Sequence, residues 1–292
     1  DRNNSRIRIV AKDKPGDLRK GGWRLDKGAN RVAHDRMHEA LISFHSTEGD
    51  GGTPLRDLLL CQPHDLVTSA QRPPEIHGQK LRPLNISGMM LDESQKIAIE
   101  TAVKQRLTMI QGPPGTGKTH TAVHLLRALI DMGRGPILAC AESNVAVDNL
   151  LEGLIDLGVK AVRFGRPVKV RESLREATLD AKVSSHPKQD EINFIREETE
   201  GIRAKLHDLK GKDRGMAHKD INKNYREIRE LEQRITDEVL SGAEVLCTTN
   251  IGAGHFTIAN RKFSIVLIDE ATQATEPSAL VPIVKGARQL NQ

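Results

Sequence analysis

Nine residues, Gln111-Gly112-Pro113-Pro114-Gly115-Thr116-Gly117-Lys118-Thr119, carry the most specific chemistry in this chain. From Gly112 onward they match the phosphate-loop pattern G-x-x-x-x-G-K-[ST] at every fixed position. Glycines let consecutive backbone N–H groups turn inward toward an anion, and a helix start adds partial positive charge there. Lys118 can reach β- and γ-phosphates, and the Thr119 hydroxyl can ligate Mg²⁺. A plain glycine turn before a helix is the weaker reading, because the flanks also fit. Leu107 to Ile110 is an apolar run of strand length, and Thr121 to Ile130 places apolar residues at helical spacing.

A phosphate loop needs a second acidic piece. Ile265-Val266-Leu267-Ile268 is followed by Asp269-Glu270, an apolar strand ending in two carboxylates. Asp269 is expected to hold the Mg²⁺ and Glu270 to orient and deprotonate an attacking water, since phosphoryl transfer is mostly positioning and charge neutralisation. A guanine-reading N-K-x-D signature is absent, the glycine loop is not of the protein-kinase type, and no G-x-S-x-G elbow points to a hydrolytic triad. His34 with His38 and His120 with His124 stand at i,i+4, but two ligands without a third make no metal site.

The elements that must position these groups follow from periodicity. Leu91-Asp92-Glu93-Ser94-Gln95 opens a helix running to about Val103, with Asp92 as cap and Gln95 completing a capping box. Strands and helices then alternate: Leu107 to Ile110, the helix after the phosphate loop, Ile137 to Cys140, Ala146 to Leu157, and Val159 to Phe164. This rhythm predicts an α/β fold with a parallel sheet flanked by helices, RecA-like in its phosphate-loop NTPase character. From about Lys169 to Leu240 the chain is charged and helical in spacing. Ile195, Ile202, Leu206 and Leu209 form one stripe, and Ile221, Tyr225, Ile228, Leu231 and Ile235 another. Lys210 to Gly215 is expected to break them into an antiparallel hairpin, an arm inserted in the α/β domain. Strands are expected to resume at Val245 to Thr248 and Ile265 to Ile268.

Upstream, Asn30 to Phe44 reads as a helix, Thr47 to Thr53 as a loop, Leu55 to Leu60 as a short apolar element, and Pro63 to Pro83 as an irregular linker. The expected organisation is therefore the end of a β-rich accessory subdomain at 1–30, helix and linker at 31–90, a first motor segment at 91–168, the arm at 169–240, and a second motor segment at 241–292. Ile7 to Val10 supplies the β-like run of the first piece.

Composition sets outer limits. The 292 residues carry a net charge of +5, much of it before residue 40 in Arg2, Arg6, Arg8, Lys12, Lys14, Arg19, Lys20, Arg24, Lys27, Arg31 and Arg36. A nucleic-acid partner and a solvated basic face both fit that excess. Cys61, Cys140 and Cys247 lack metal or redox spacing, and the last two sit in apolar runs, so they read as reduced core thiols of an intracellular protein, nuclear or cytoplasmic. No apolar run approaches the ~18 residues needed to span a bilayer, and no membrane partner is expected. With one Trp and one Tyr, base stacking on aromatic side chains is not the obvious binding mode. The chain starts at Asp1 rather than Met and reads as a fragment or a processed chain.

With both nucleotide motifs placed, the chain resembles superfamily 1B helicases of the nonsense-mediated-decay type. Within them it looks closest to the immunoglobulin-mu-binding, or DNA-polymerase-alpha-associated helicase A, group. The resemblance rests on LDESQ (91–95), GPPGTGKT (112–119), CAESNVAVDNL (140–150), VRFGRP (162–167), CTTNIGAG (247–254) and DEATQATEPSAL (269–280), in the family's order. It implies an ATP- and Mg²⁺-dependent helicase acting 5′ to 3′ on single-stranded DNA or RNA. ATP would lie on Gly112 to Thr119 and Asp269, with Gln95 reading the adenine edge; capping alone is the other reading for Gln95. Ser143, Asn144, Thr248, Thr249, Arg163 and Arg166 would touch the nucleic-acid backbone, with turn and cap chemistry as the alternative. Gln273 would couple the γ-phosphate to the strand. The family usually has Pro where Glu142 stands and a small residue where Thr272 stands. Its next strand, its G-D-x-x-Q-L-P-P motif and its second RecA-like domain are expected to be missing from this chain, so hydrolysis by the chain alone should be very slow. Two other readings stay open: a nucleic-acid-binding module without ATPase activity, and a phosphate-loop switch acting on protein partners.

Overall fold

A computed structural model describes residues 31–46, 54–60, 82–166 and 169–291. The chain divides into two compact units, Asp1–Val32 and Ala33–Gln292, and the described residues lie almost entirely in the second. The β-like run at Ile7 to Val10, the basic residues before Arg31, the loop at 47–53, Cys61 and most of the Pro-rich linker lie outside the described residues.

The second unit is built on a six-stranded, all-parallel sheet. The helices and strands that matter for the site are, in chain order, α1 (Val32–His45), α2 (Pro54–Leu60), α3 (Glu93–Lys104), β1 (Leu107–Thr108), α4 (Lys118–Asp131), β2 (Ile137–Ala141), α5 (Asn144–Asp156) and β3 (Ala161–Arg163). The arm follows as α6 (Leu179–Ser184), α7 (Gln189–Lys205) and α8 (Gly211–Ser241); then come β4 (Val245–Thr249), β5 (Ile265–Asp269), α9 (Glu276–Ile283) and β6 (Gln289–Asn291). Strand order is β1-β6-β5-β2-β4-β3. The α/β expectation therefore holds, with Ala141 at the end of β2 in register with Thr249 on one side and Asp269 on the other.

Alternation along the strands feeds two cores, as a sheet covered on both faces requires. Ile137, Ala139, Cys247, Ile265 and Leu267 pack with α3, α4 and α5 through Ile99, Leu125, Leu126 and Leu150. Leu138, Cys140, Leu246, Val266 and Ile268 pack on the other face with Ala40, Leu55, Leu280 and Val281 of α1, α2 and α9. Burial raises the Cys140 thiol well above its usual value and pushes Cys247 up to about 12, which keeps both protonated and inert.

Three expectations are corrected. Strand β6 forms from Gln289–Asn291 and lies between β1 and β5, where a missing strand was expected. Its polar side chains hid it: Gln289 is buried and donates to the Ala102 carbonyl. The hairpin turn lies at 206–210, and Gly211 to Gly215 already belong to α8. In the seam, Ile192, Ile195, Ile228, Leu231 and Ile235 pack together, but Tyr225 faces outward and Asn224 takes the inner position. The Asn224 amide is satisfied there by donating to Thr199 Oγ1 at 3.1 Å. The helices run antiparallel, as Arg196–Glu232 and Lys188–Glu238 pairings show.

Candidate functional site

The phosphate loop sits between the end of β1 and the first turn of α4. Gly115 and Gly117 have φ of +81° and +74°, values that side-chain-bearing residues rarely adopt. Gly117 is the cap of α4 and offers no side-chain acceptor, so the first-turn N–H groups of the helix have no capping oxygen. That is the arrangement an anion would complete. A Cβ at Gly117 would come within 2.8 Å of the Gln95 amide nitrogen, and one at Gly112 within 2.7 Å of Thr116 Oγ1. The loop itself is braced by Thr116 Oγ1 donating to the Pro113 carbonyl at 2.9 Å.

Gln95 does two jobs. Its side-chain oxygen accepts from the Asp92 N–H at 3.1 Å while Asp92 accepts from the Gln95 N–H at 2.8 Å, which completes the capping box of α3. Its amide nitrogen donates to the Thr116 carbonyl at 3.2 Å, tying α3 to the phosphate loop. Lys118 Nζ donates to the Gly112 and Pro113 carbonyls at 2.9 and 3.1 Å, so the ammonium lies back across the loop.

The second half arrives from β5. Asp269 Oδ2 accepts from Thr119 Oγ1 at 2.9 Å, and its other oxygen accepts from the Glu270 N–H at 3.0 Å. Burial is the main influence on this carboxyl and raises its pKa; those two hydrogen bonds and Lys118 oppose the rise. A buried carboxylate held above its ordinary value, with a hydroxyl beside it, is a fitting donor set for a divalent cation. Glu270 has φ 55° and ψ 37°, the one non-glycine residue with positive φ among the described residues. That sparsely populated backbone conformation falls on an exposed carboxylate directly after the last residue of β5. Gln273 Nε2 donates to Glu270 Oε2 at 3.0 Å and holds the carboxylate in place.

The residues expected along a nucleic-acid strand separate into two sets. Ser143 caps α5 by accepting from the Ala146 N–H, and Asn144 accepts from Arg163 at 2.9 Å. Thr249 Oγ1 accepts from the Gly252 N–H, and Arg166 is exposed. Arg163 is corrected: it is only 1% exposed, and Nε pairs with Asp148 at 3.1 Å while the two other nitrogens donate to the Phe164 carbonyl and Asn144. A guanidinium so enclosed has no face left for a phosphate. Thr248 is likewise fully buried within β4. Glu142, which stands where the family usually has Pro, is drawn inward, accepting from Ser278 Oγ at 2.7 Å and Asn250 Nδ2 at 3.0 Å. Nothing about the polar residue types at 163 and 248 distinguishes these inner positions; what does is their cover, Arg163 on edge strand β3 being enclosed by Asp148 and Asn144 of α5 and Thr248 lying on interior strand β4.

The His120 and His124 rings lie 4.2 Å apart, tilted at 46°, and among the described residues no group of three His, Cys, Asp or Glu side chains forms that could hold a metal. No helix among the described residues is long and apolar enough to cross a membrane.

A family model for an AAA domain matches residues 90–290. DNA-binding protein SMUBP-2 of Mus musculus is 31% identical over 290 residues, which is 96% of this chain and 28% of the mouse protein. DNA polymerase alpha-associated DNA helicase A of Schizosaccharomyces pombe is 30% identical over 260 residues, 88% of this chain and 38% of its own length. ATP-dependent helicase NAM7 of Saccharomyces cerevisiae is 34% identical over 260 residues, 89% of this chain and 24% of its own length. The chain thus spans less than half the length of these curated relatives.

Proposed function

This chain belongs to the superfamily 1B helicases of the nonsense-mediated-decay type, with the AAA domain over residues 90–290, and we propose that it is the ATP- and Mg²⁺-binding first motor domain of a helicase that acts on single-stranded DNA or RNA. The observation that carries this is the 2.9 Å hydrogen bond from Thr119 to Asp269, which brings the two acting ends of the pocket together.

The loop from Gly112 to Thr119 receives the triphosphate, and Lys118 exchanges its loop carbonyls for phosphate oxygens. Thr119 and Asp269 hold Mg²⁺, which when bound neutralises charge on the phosphates. Glu270 orients a water toward the γ-phosphorus and accepts its proton as the bond to the ADP oxygen breaks. Gln273, bonded to Glu270, is placed to sense that step. Gln95 reads the adenine edge by exchanging one of its present bonds. Ser143, Asn144, Thr249 and Arg166 line the strand's route at the carboxyl ends of β2, β4 and β3, beside the nucleotide pocket at β1 and β5. In an open parallel sheet ligands bind at those ends. By family resemblance an arginine from a second RecA-like domain completes the site; such an arginine is worth ~10³–10⁵ in rate.

The test is ATP turnover with and without a single-stranded oligonucleotide, in the longest form the gene encodes. Stimulation by the strand supports the motor. Unchanged turnover contradicts it, and salt-sensitive strand binding with no hydrolysis at all would favour a simple binding module.

A further inference from the structure

Aromatic side chains are scarce in this chain, with five Phe, one Tyr and one Trp. Two of the five Phe nevertheless meet at one point. Phe164, just past β3, contacts the His255 ring edge-on at 5.1 Å between centroids, and His255 in turn lies 4.2 Å from the Phe256 ring at 33°. The three rings form a short ladder. Its inner end is anchored: Phe164 packs partly into the core, and its N–H donates to the Cys247 carbonyl of β4. The middle ring is fixed by Thr257, whose N–H donates to His255 Nδ1 at 3.2 Å. The outer end is bare, with Phe256 80% exposed.

An exposed Phe ring backed by two ordered rings presents a flat π-face already held in position. Its place says what would stack on it. The ladder follows β3 and β4 at their carboxyl ends, beyond the loop 250–254 and two residues from exposed Arg166. On the strand-binding reading above, on which this inference rests, that is the far end of the route from the ATP pocket. Burial of Arg163 and Thr248 removes two expected contacts from the same stretch. We propose that Phe256, buttressed by His255 and Phe164, is a stacking platform for one nucleobase of the bound single strand, with Arg166 beside it for the phosphate. Every base has a π-face, so the contact adds affinity without reading sequence. Base stacking, unexpected from the aromatic count, thereby becomes a binding mode of this chain.

The experiment is fluorescence anisotropy with a labelled oligothymidylate and with the same strand carrying abasic positions, on the full chain and its variants. Phe256→Ala should weaken oligothymidylate binding by about 5- to 150-fold, the range for loss of one stacked base. It should have no further effect on the abasic strand. Phe256→Trp should restore affinity, with its indole emission quenched on binding. Nucleotide binding and the thermal transition of Phe256→Ala should match the wild type. A Phe256→Ala affinity within twofold of wild type on oligothymidylate, or an equal loss on the abasic strand, overturns the platform. A wild-type chain that binds no strand overturns the strand-binding reading itself, which is a separate result.

Discussion

The Thr119 hydroxyl donates to the Asp269 carboxylate at 2.9 Å, joining residues 150 positions apart in the sequence. Thr119 stands in the first turn of α4 and Asp269 at the last position of β5. The contact depends on β6 and β5 lying between β1 and β2 in the sheet, so that the phosphate loop and the acidic strand end open on one edge. A phosphate loop alone binds anions; this contact adds a place for a cation.

Asp269→Asn should separate stability from function. Burial raises the folded-state pKa of Asp269 above its ordinary value of 3.8, so its ionised form is disfavoured on folding. That cost is fully present above the raised pKa, and it disappears as pH falls through that value toward 3.8. The amide variant should therefore melt higher than wild type at pH 7, by roughly a few degrees, with the difference shrinking in acid. Mg²⁺-dependent nucleotide affinity should be lost in the same variant. Thermal melts at pH 7 and pH 4, with nucleotide titrations, check both halves.

Arg163→Ala should act on folding rather than on strand affinity. It would leave Asp148, which is buried and also accepts from the Arg171 N–H, with an uncompensated charge. Breaking a buried pair in this way costs about 3–5 kcal/mol. Urea unfolding gives the cost. A fully stable variant with selectively weakened strand binding would return Arg163 to the nucleic-acid surface.

These two residues show where reading the sequence succeeds and stops. The placement of Asp269 beside Thr119 was legible because an apolar strand ending in DE is the acidic piece a phosphate loop pairs with. The Asp92–Gln95 capping box was legible for the same local reason, since both partners lie three residues apart. Arg163 and Thr248 were misread because a polar residue at a strand end looks alike whether its neighbours cover it or not. Strand β6 was missed because Gln289 and Asn291 carry no apolar signal, although both are buried. In the arm, the helical stripe was legible, but Asn224 rather than Tyr225 points inward because Thr199 offers it a hydrogen bond from the facing helix. The aromatic ladder joins residues 164 and 255–256, which no local pattern connects.

Glu270→Gly and Glu270→Gln form a pair. The left-handed backbone at Glu270 costs a side-chain-bearing residue about 1 kcal/mol. Glycine relieves it, so Glu270→Gly should be more stable than wild type by about that amount and should not hydrolyse ATP. Glu270→Gln keeps the strain, should match wild-type stability, and should bind nucleotide without turning it over. Denaturant melts and single-turnover assays distinguish the two.

The most direct test is titration of a fluorescent ATP analogue into the chain with and without Mg²⁺, for wild type and Lys118→Ala. The account predicts binding that Mg²⁺ strengthens in the wild type, with at least about a tenfold loss of affinity in Lys118→Ala, the size expected for a charge-assisted phosphate contact. Equal affinity in the two proteins, indifferent to Mg²⁺, would contradict a triphosphate pocket at Lys118, Thr119 and Asp269.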